Sequence, residues 1–207
     1  MKRILCYGDS NTWGTIADGT CMHCDLAKAY PAILQKLLGK DYQVISEGMP
    51  SRTTNVDDFK FPKGNRNGAF FFPQCVITHD PLDYVVLFLG TNDLKPKFNR
   101  SVKDIVDAIE KDYILFTRNN LKPELTRLPK FVIVCPSVVD ETKFEGFEGA
   151  TAKSKMFDRE YRLMAKNNSC LYVSNDCLQC GDDGIHLNEQ SHKKLAEQLS
   201  LVIKQDD

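Results

Sequence analysis

Four polar stretches of this chain could carry chemistry: GDSN at 8–11, SEGMPSRTT at 46–54, GTND at 90–93 and DDGIHLN at 182–188. A serine hydroxyl is a weak nucleophile on its own. It needs an adjacent base, and the base needs a group that orients it. Ser10 is the candidate nucleophile and His186 the candidate base, because the neutral imidazole is accessible near pH 7. Asp183 lies three residues before His186, where its carboxylate can reach Nδ1–H and leave Nε2 facing Ser10. Asp182 sits at a less suitable offset. Attack on an ester carbonyl creates an oxyanion, which needs donors where the charge develops. The Asn92 carboxamide and the backbone amides of Ser10 and of the MPSR turn could supply them. Asp9 suits a turn or strand-cap role.

These stretches matter only if the fold brings them together. Strand-like runs cover KRILCYG (2–8), YQVISEG (42–48), DYVVLFLG (83–90), KFVIVCPS (130–137) and CLYVS (170–174). Four are almost continuously apolar, as expected when both faces of a parallel sheet are covered. Helical patterns lie between them. AKAYPAILQKLLGK has Pro31 suited to its first turn and Gly39 suited to its C-cap. RSVKDIVDAIEKDYILFTRNNL spaces apolar residues by three and four. AKSKMFDREYRLMAKNN and NEQSHKKLAEQLSLVIK complete the set, the last with Asn188 as N-cap. The alternation predicts a doubly wound α/β domain: a three-layer α/β/α sandwich on a mainly parallel five-stranded sheet. Right-handed crossovers put every strand's C-terminal end on one edge, where ligands bind in such sheets. All four polar stretches follow strands in this scheme.

At 207 residues the chain reads as a single domain, 1–207, with no repeat or linker. Lys plus Arg number 27 and Asp plus Glu 28, a net charge of −1, which gives no broad electrostatic reason to bind nucleic acid or an anionic membrane. No apolar run approaches a membrane span, and the polar residues after MKRILCYG interrupt any signal-peptide core, so a cytoplasmic location is expected.

One stretch breaks the alternation. From about 57 to 74, DFKFPKGNRNGAFFFPQ mixes Gly, Pro and Asn with phenylalanines, and it reads as an irregular insertion. Some of its aromatic rings are expected over the pocket and others at a contact with another subunit; a local satellite core is the alternative. Trp13, three residues past Ser10, either lines the acyl pocket or packs in the core. Arg52 either anchors its loop through Asp57 or Asp58 or is a solvated charge. His79 and His192 read as structural or exposed. Of the eight cysteines, Cys6, Cys135 and Cys170 fall in strands and read as core. Cys21/Cys24 and Cys177/Cys180 form two C-x-x-C pairs that could meet as a zinc site, pair as disulfides, or be unrelated loop cysteines, the reading preferred here.

GDSN, GTND and DGIH, in this order, resemble the blocks of the SGNH (GDSL-type) hydrolase superfamily. The longer stretches ILCYGDSNTWG, EGMPSRTTNVDD, LFLGTNDLK and DGIHL are most similar to its arylesterase/acyltransferase branch. The resemblance spans residues 2–203 and implies the flavodoxin-like fold of that superfamily. It implies Ser10 as nucleophile, His186 as base, Asp183 as orienter, and Asn92 with the Ser10 amide as oxyanion donors. The chain departs from the family where a glycine usually supplies the remaining amide: Ser51 aligns there, and Gly48 stands upstream. The expected function is a serine esterase acting on small acyl, acetyl-type esters, with acyl transfer to another alcohol as an extension and no cofactor. Acetylated carbohydrates or thioesters are alternative substrates. A non-catalytic metal- or redox-binding module using the C-x-x-C pairs is the alternative from another class. The resemblance also implies a homo-oligomer.

Overall fold

The computed structural model describes residues 1–20, 22–23, 26–59 and 64–206. Strands β1 (Lys2–Gly8), β2 (Tyr42–Gly48), β3 (Tyr84–Phe88), β4 (Lys130–Val134) and β5 (Leu171–Val173) form one sheet in the order β2-β1-β3-β4-β5. Every neighbouring pair is parallel. The continuous apolar runs are explained by burial on both faces. Leu5, Tyr7, Val85, Leu87 and Ile133 pack into one core, while Ile4, Cys6, Val86, Phe88 and Val134 pack into the other. β2 is an edge strand and only partly buried, which matches its more polar sequence.

The second core is covered by α2 (Tyr30–Leu38) and α7 (Glu189–Asp206), through Tyr30, Leu34, Leu195 and Leu199. Pro31 and Gly39 sit at the start and end of α2 as expected. The Asn188 carboxamide accepts the Ser191 amide at 2.8 Å and so caps α7. The first core is covered by α3 (Gly68–Thr78), α4 (Val102–Ile109) and α6 (Phe157–Asn167); the short α5 (Ala150–Ser154) precedes α6. Ser101 and Asp104 close a capping box at the start of α4. Beyond Ile109 the same helix continues to Leu121 in wide turns.

The presence of α3 corrects the expectation of an irregular insertion over 57–74 for its last part, residues 68–74; the described residues before Gly68 form no helix or named strand. A parallel β2-to-β3 connection needs a crossover, and α3 is that crossover. Asn67 caps it by accepting the Phe70 amide at 3.3 Å. Pro73 lies inside the helix and three phenylalanines precede it, a combination that hides the helical period. Burial decides the outcome, because Phe72 and Val76, one turn apart, drop onto the sheet. The Phe72 ring meets Tyr7 at 5.1 Å and Tyr113 at 4.8 Å. Phe59 and Phe70 are exposed.

No helix among the described residues is long and apolar enough to cross a membrane. Cys6 and Cys135 are fully buried and Cys170 partly so, as their strand positions predicted.

Candidate active site

At the C-terminal end of β1 the chain turns directly into α1 (Ser10–Trp13). Asp9 is the cap: its carboxylate accepts the Asn11 amide at 2.9 Å. Burial pushes the Asp9 carboxyl up to about 6, against the pull of that hydrogen bond. Ser10 is thereby held on the first residue of a one-turn helix that crosses the end of β2. Gly48 makes the crossing possible, since a Cβ there would lie 2.2 Å from the Trp13 nitrogen.

The last turn before α7 supplies the partner residues. His186 Nε2 lies 2.9 Å from Ser10 Oγ, and His186 Nδ1 lies 2.6 Å from Asp183 Oδ2. Asp183 Oδ1 also accepts the amides of Ile185 at 3.0 Å and His186 at 2.9 Å. The carboxylate therefore faces donors on both oxygens. Burial pushes the Asp183 carboxyl up, but these hydrogen bonds outweigh it and hold the group below its ordinary range. An ionised Asp183 fixes the proton on Nδ1, and Nε2 presents a lone pair to the serine hydroxyl. All three side chains are buried, so little water competes for these bonds.

Sequence reasoning missed the residue that locks the two turns together. Asn11 Oδ1 accepts the Leu187 amide at 2.8 Å, joining residues 176 positions apart in the chain. A carboxamide directly after the candidate nucleophile was the only available signal.

Asn92 stands on the turn after β3. Its Nδ2 donates to the Arg52 carbonyl at 3.1 Å and its Oδ1 accepts from Lys95 Nζ at 2.7 Å. The carboxamide carries a second N–H on the same nitrogen. The neighbouring Asp93 is fully buried and ties this turn to the β2 loop. It accepts the Thr54 amide at 2.9 Å and the Thr54 hydroxyl at 2.6 Å, and it pairs with Arg100 at 3.2 Å. Burial pushes the Asp93 carboxyl up to about 6 despite these partners. Ser51 adopts φ = 67°, in the left-handed region. The turn thus keeps a glycine-like backbone although a serine occupies it.

Arg52 does anchor the β2 loop, but not through Asp57 or Asp58. Its guanidinium donates to the Gly8 carbonyl at 2.7 Å and to the Glu47 carbonyl, and it lies 4.0 Å above the Tyr7 ring. Parallel strands β1 and β2 end together at Gly8 and Gly48, leaving carbonyls that a buried arginine can cap.

Ser10, Ser51, Asn92 and His186 share the wall of one cavity of about 500 Å³. Trp13 lines it, as one of the two readings for that residue expected, and sits edge-on to His23 with centroids 4.0 Å apart. The other described aromatic lining is Phe144 and Phe147, from the loop after β4, and not Phe59, Phe70, Phe71 or Phe72; Phe61 lies outside the described residues. Arg66 and Lys95 complete the polar wall. None of these four was identified from sequence. They lie on loops without strand or helix periodicity, and only the fold turns them inward.

The remaining residues fall outside this cavity. His79 pairs with Glu47 at 3.0 Å. His192 is buried against Tyr30, and burial pushes it down to about 4. Cys177 and Cys180 are free thiols; Cys21 and Cys24 lie outside the described residues. No group of three His, Cys, Asp or Glu among the described residues could hold a metal ion.

Comparison with known proteins follows the same pattern. A family model described as the GDSL-like lipase/acylhydrolase family matches residues 6–194. A carbohydrate acetylesterase family member from Sinorhizobium meliloti superposes with a TM-score of 0.90 at 33% identity, covering 99% of this chain and 98% of that one. The native aryl esterase of M. smegmatis gives a TM-score of 0.89 at 32% identity, covering 99% of both chains. An acetylxylan esterase of Xylanibacter ruminicola is 27% identical over 221 residues, which is 98% of this chain. The chain spans only 43% of the length of that curated relative.

Proposed function

The chain belongs to the GDSL-like lipase/acylhydrolase family, with an SGNH-type α/β fold, and from that premise we propose that it is a serine esterase cleaving small acyl, acetyl-type esters at Ser10. The observation that carries this reading is the continuous chain from Ser10 Oγ through His186 to Asp183, at 2.9 and 2.6 Å, opening onto a cavity.

His186 Nε2 takes the hydroxyl proton as Ser10 Oγ bonds to the ester carbonyl carbon. Asp183 stabilises the imidazolium and keeps the ring oriented. The second N–H of Asn92 and the backbone amides of Ser10 and Ser51 receive the oxyanion. Ser51 is preferred to Gly48 for this role because it lines the cavity, whereas Gly48 packs beneath Trp13. The tetrahedral intermediate collapses: the carbon–oxygen bond to the alcohol breaks, and His186 returns its proton to that alcohol. Water, deprotonated by His186, then attacks the acyl-serine and releases the acid. Another alcohol in place of water gives acyl transfer.

An acetylated carbohydrate is a second substrate reading, favoured by the names of two of the relatives. The finer parts of the proposal are a single catalytic domain over 1–207, a homo-oligomer and a cytoplasmic location. Exposed Phe59, Phe70 and Leu26 support self-association, and the free described cysteines suit a reducing compartment. A monomeric mass in solution would remove the oligomer from the proposal. The central test is 4-nitrophenyl acetate turnover by purified wild type and Ser10→Ala, where retained activity in the variant sinks the assignment.

A further inference from the structure

Arg66 sits in the wall of the Ser10 cavity with only 6% of its surface exposed. Its backbone is fully engaged: the amide donates to the Asp58 carbonyl, and the carbonyl accepts the Thr53 amide. Its side chain is different. Nε is buried with no hydrogen-bond partner. Among the described residues the Nη nitrogens also form no hydrogen bond or ion pair, and they are not sealed from the cavity. An always-charged group removed from water is costly unless it is paired. The nearby Arg52 also leaves its Nε unpartnered, but its Nη1 donates to two carbonyls and its plane covers a tyrosine face.

The rest of the wall does not neutralise Arg66. Lys95 is a second cation on it, and no Asp or Glu is among the described residues that line the cavity. Asp183 is engaged behind His186. The formal charges on the described cavity wall are thus cationic, and one of them is a guanidinium whose planar fork suits a carboxylate. The reacting acyl group is small, so most of about 500 Å³ is left for the alcohol part of the ester.

We propose that this site selects esters whose alcohol part carries a carboxylate, and that Arg66 is the residue that binds it. The proposal rests on the esterase reading above and deepens it by naming the substrate class. It accounts for a guanidinium that finds no partner among the described residues.

The test compares 4-acetoxybenzoate with 4-acetoxybenzamide in wild type, Arg66→Gln and Arg66→Lys. Intrinsic reactivity cancels when the anionic-to-neutral ratio of kcat/KM is compared between proteins. The ratio is expected to fall about tenfold in Arg66→Gln, through a higher KM for the anionic ester, and to recover in part in Arg66→Lys. A fall of less than threefold in a glutamine variant that still turns over the amide overturns the proposal. If Arg66→Gln does not fold, wild type alone decides: benzoate must inhibit 4-nitrophenyl acetate hydrolysis competitively and more strongly than benzamide. Equal inhibition overturns the proposal. Failure of the underlying reading looks different, because Ser10→Ala would then still hydrolyse 4-nitrophenyl acetate, whatever the charge preference.

Discussion

The two walls of the Ser10 cavity are built on opposite plans. On the wall formed by residues 9–11 and 183–187, the side chains are held by neighbouring amides and by one another: Asp9 accepts the Asn11 amide, Asn11 accepts the Leu187 amide, and Asp183 receives three donors from His186 and Ile185. On the wall formed by Pro50, Ser51 and Arg66, Ser51 holds a left-handed backbone and the Arg66 guanidinium has no partner among the described residues. The first wall has little left to reorganise, which is what a proton-transfer relay requires. The second retains unused binding capacity, which is what recognition of a substrate requires. On the proposed reading, the contrast separates chemistry from selection within one pocket.

The largest effect should come from the first wall. Ser10→Ala is expected to lower kcat/KM for 4-nitrophenyl acetate by at least about 10⁴-fold, measured on protein of unchanged circular dichroism. Asp183→Asn should cost about 10³- to 10⁴-fold, chiefly in kcat, because the amide no longer fixes the proton on Nδ1. Asn92→Ala, on the border between the walls, should cost about 10²- to 10³-fold in kcat if it donates to the oxyanion. A loss seen only in KM would move Asn92 to the recognition side.

Acidity gives a subtler test of the same division. The folded-state carboxyls of Asp9 and Asp93 lie near 6, above the ordinary 3.8, so the folded protein holds protons that the unfolded chain releases. Stability should therefore fall as pH rises from about 4 to 6, by on the order of 2–3 kcal/mol for each group, and level off above that window. Asp183 works in the other direction. Its pKa is lowered, so its contribution is present above the unfolded value and lost as pH falls through the folded one. Urea midpoints between pH 4 and 7 should show a shallower decline in Asp9→Asn, where asparagine keeps the cap but not the charge. An equal slope in wild type and variant would contradict the assignment. The smallest effect is expected at Ser51. Ser51→Gly should change stability by no more than about 1 kcal/mol and leave kcat within about threefold, while Ser51→Val, β-branched at positive φ, should lose both.

The sheet and the catalytic wall were legible because their signals are local. Apolar runs such as Ile4–Tyr7 and Tyr84–Phe88 declare doubly covered strands, and Ser10, Asp183 and His186 follow from residue type and strand-end position. The recognition wall was not legible, because its members carry no such signal. Arg66 lies in GNRNG, which reads as a turn, and Phe144 and Phe147 lie on a loop whose inward direction depends on the packing of α5 and α6. The helix α3 was hidden by Pro73 and its phenylalanine run, and only the need to cross from β2 to β3 and the burial of Phe72 reveal it. The partner of Arg52 was misjudged because strand-end carbonyls do not exist until two strands pair.

The bond between Asn11 and Leu187 gives the molecule a direction in time. Ser10 is made 176 positions before His186 during synthesis. At ribosomal speeds of about 5–20 residues per second, the serine waits roughly 10–35 s without its base. Throughout that interval the nascent chain carries an inert hydroxyl, and reactivity switches on in a single docking event. Appearance of labelling by a serine-directed probe would therefore report the arrival and docking of His186, rather than folding of the residues before it.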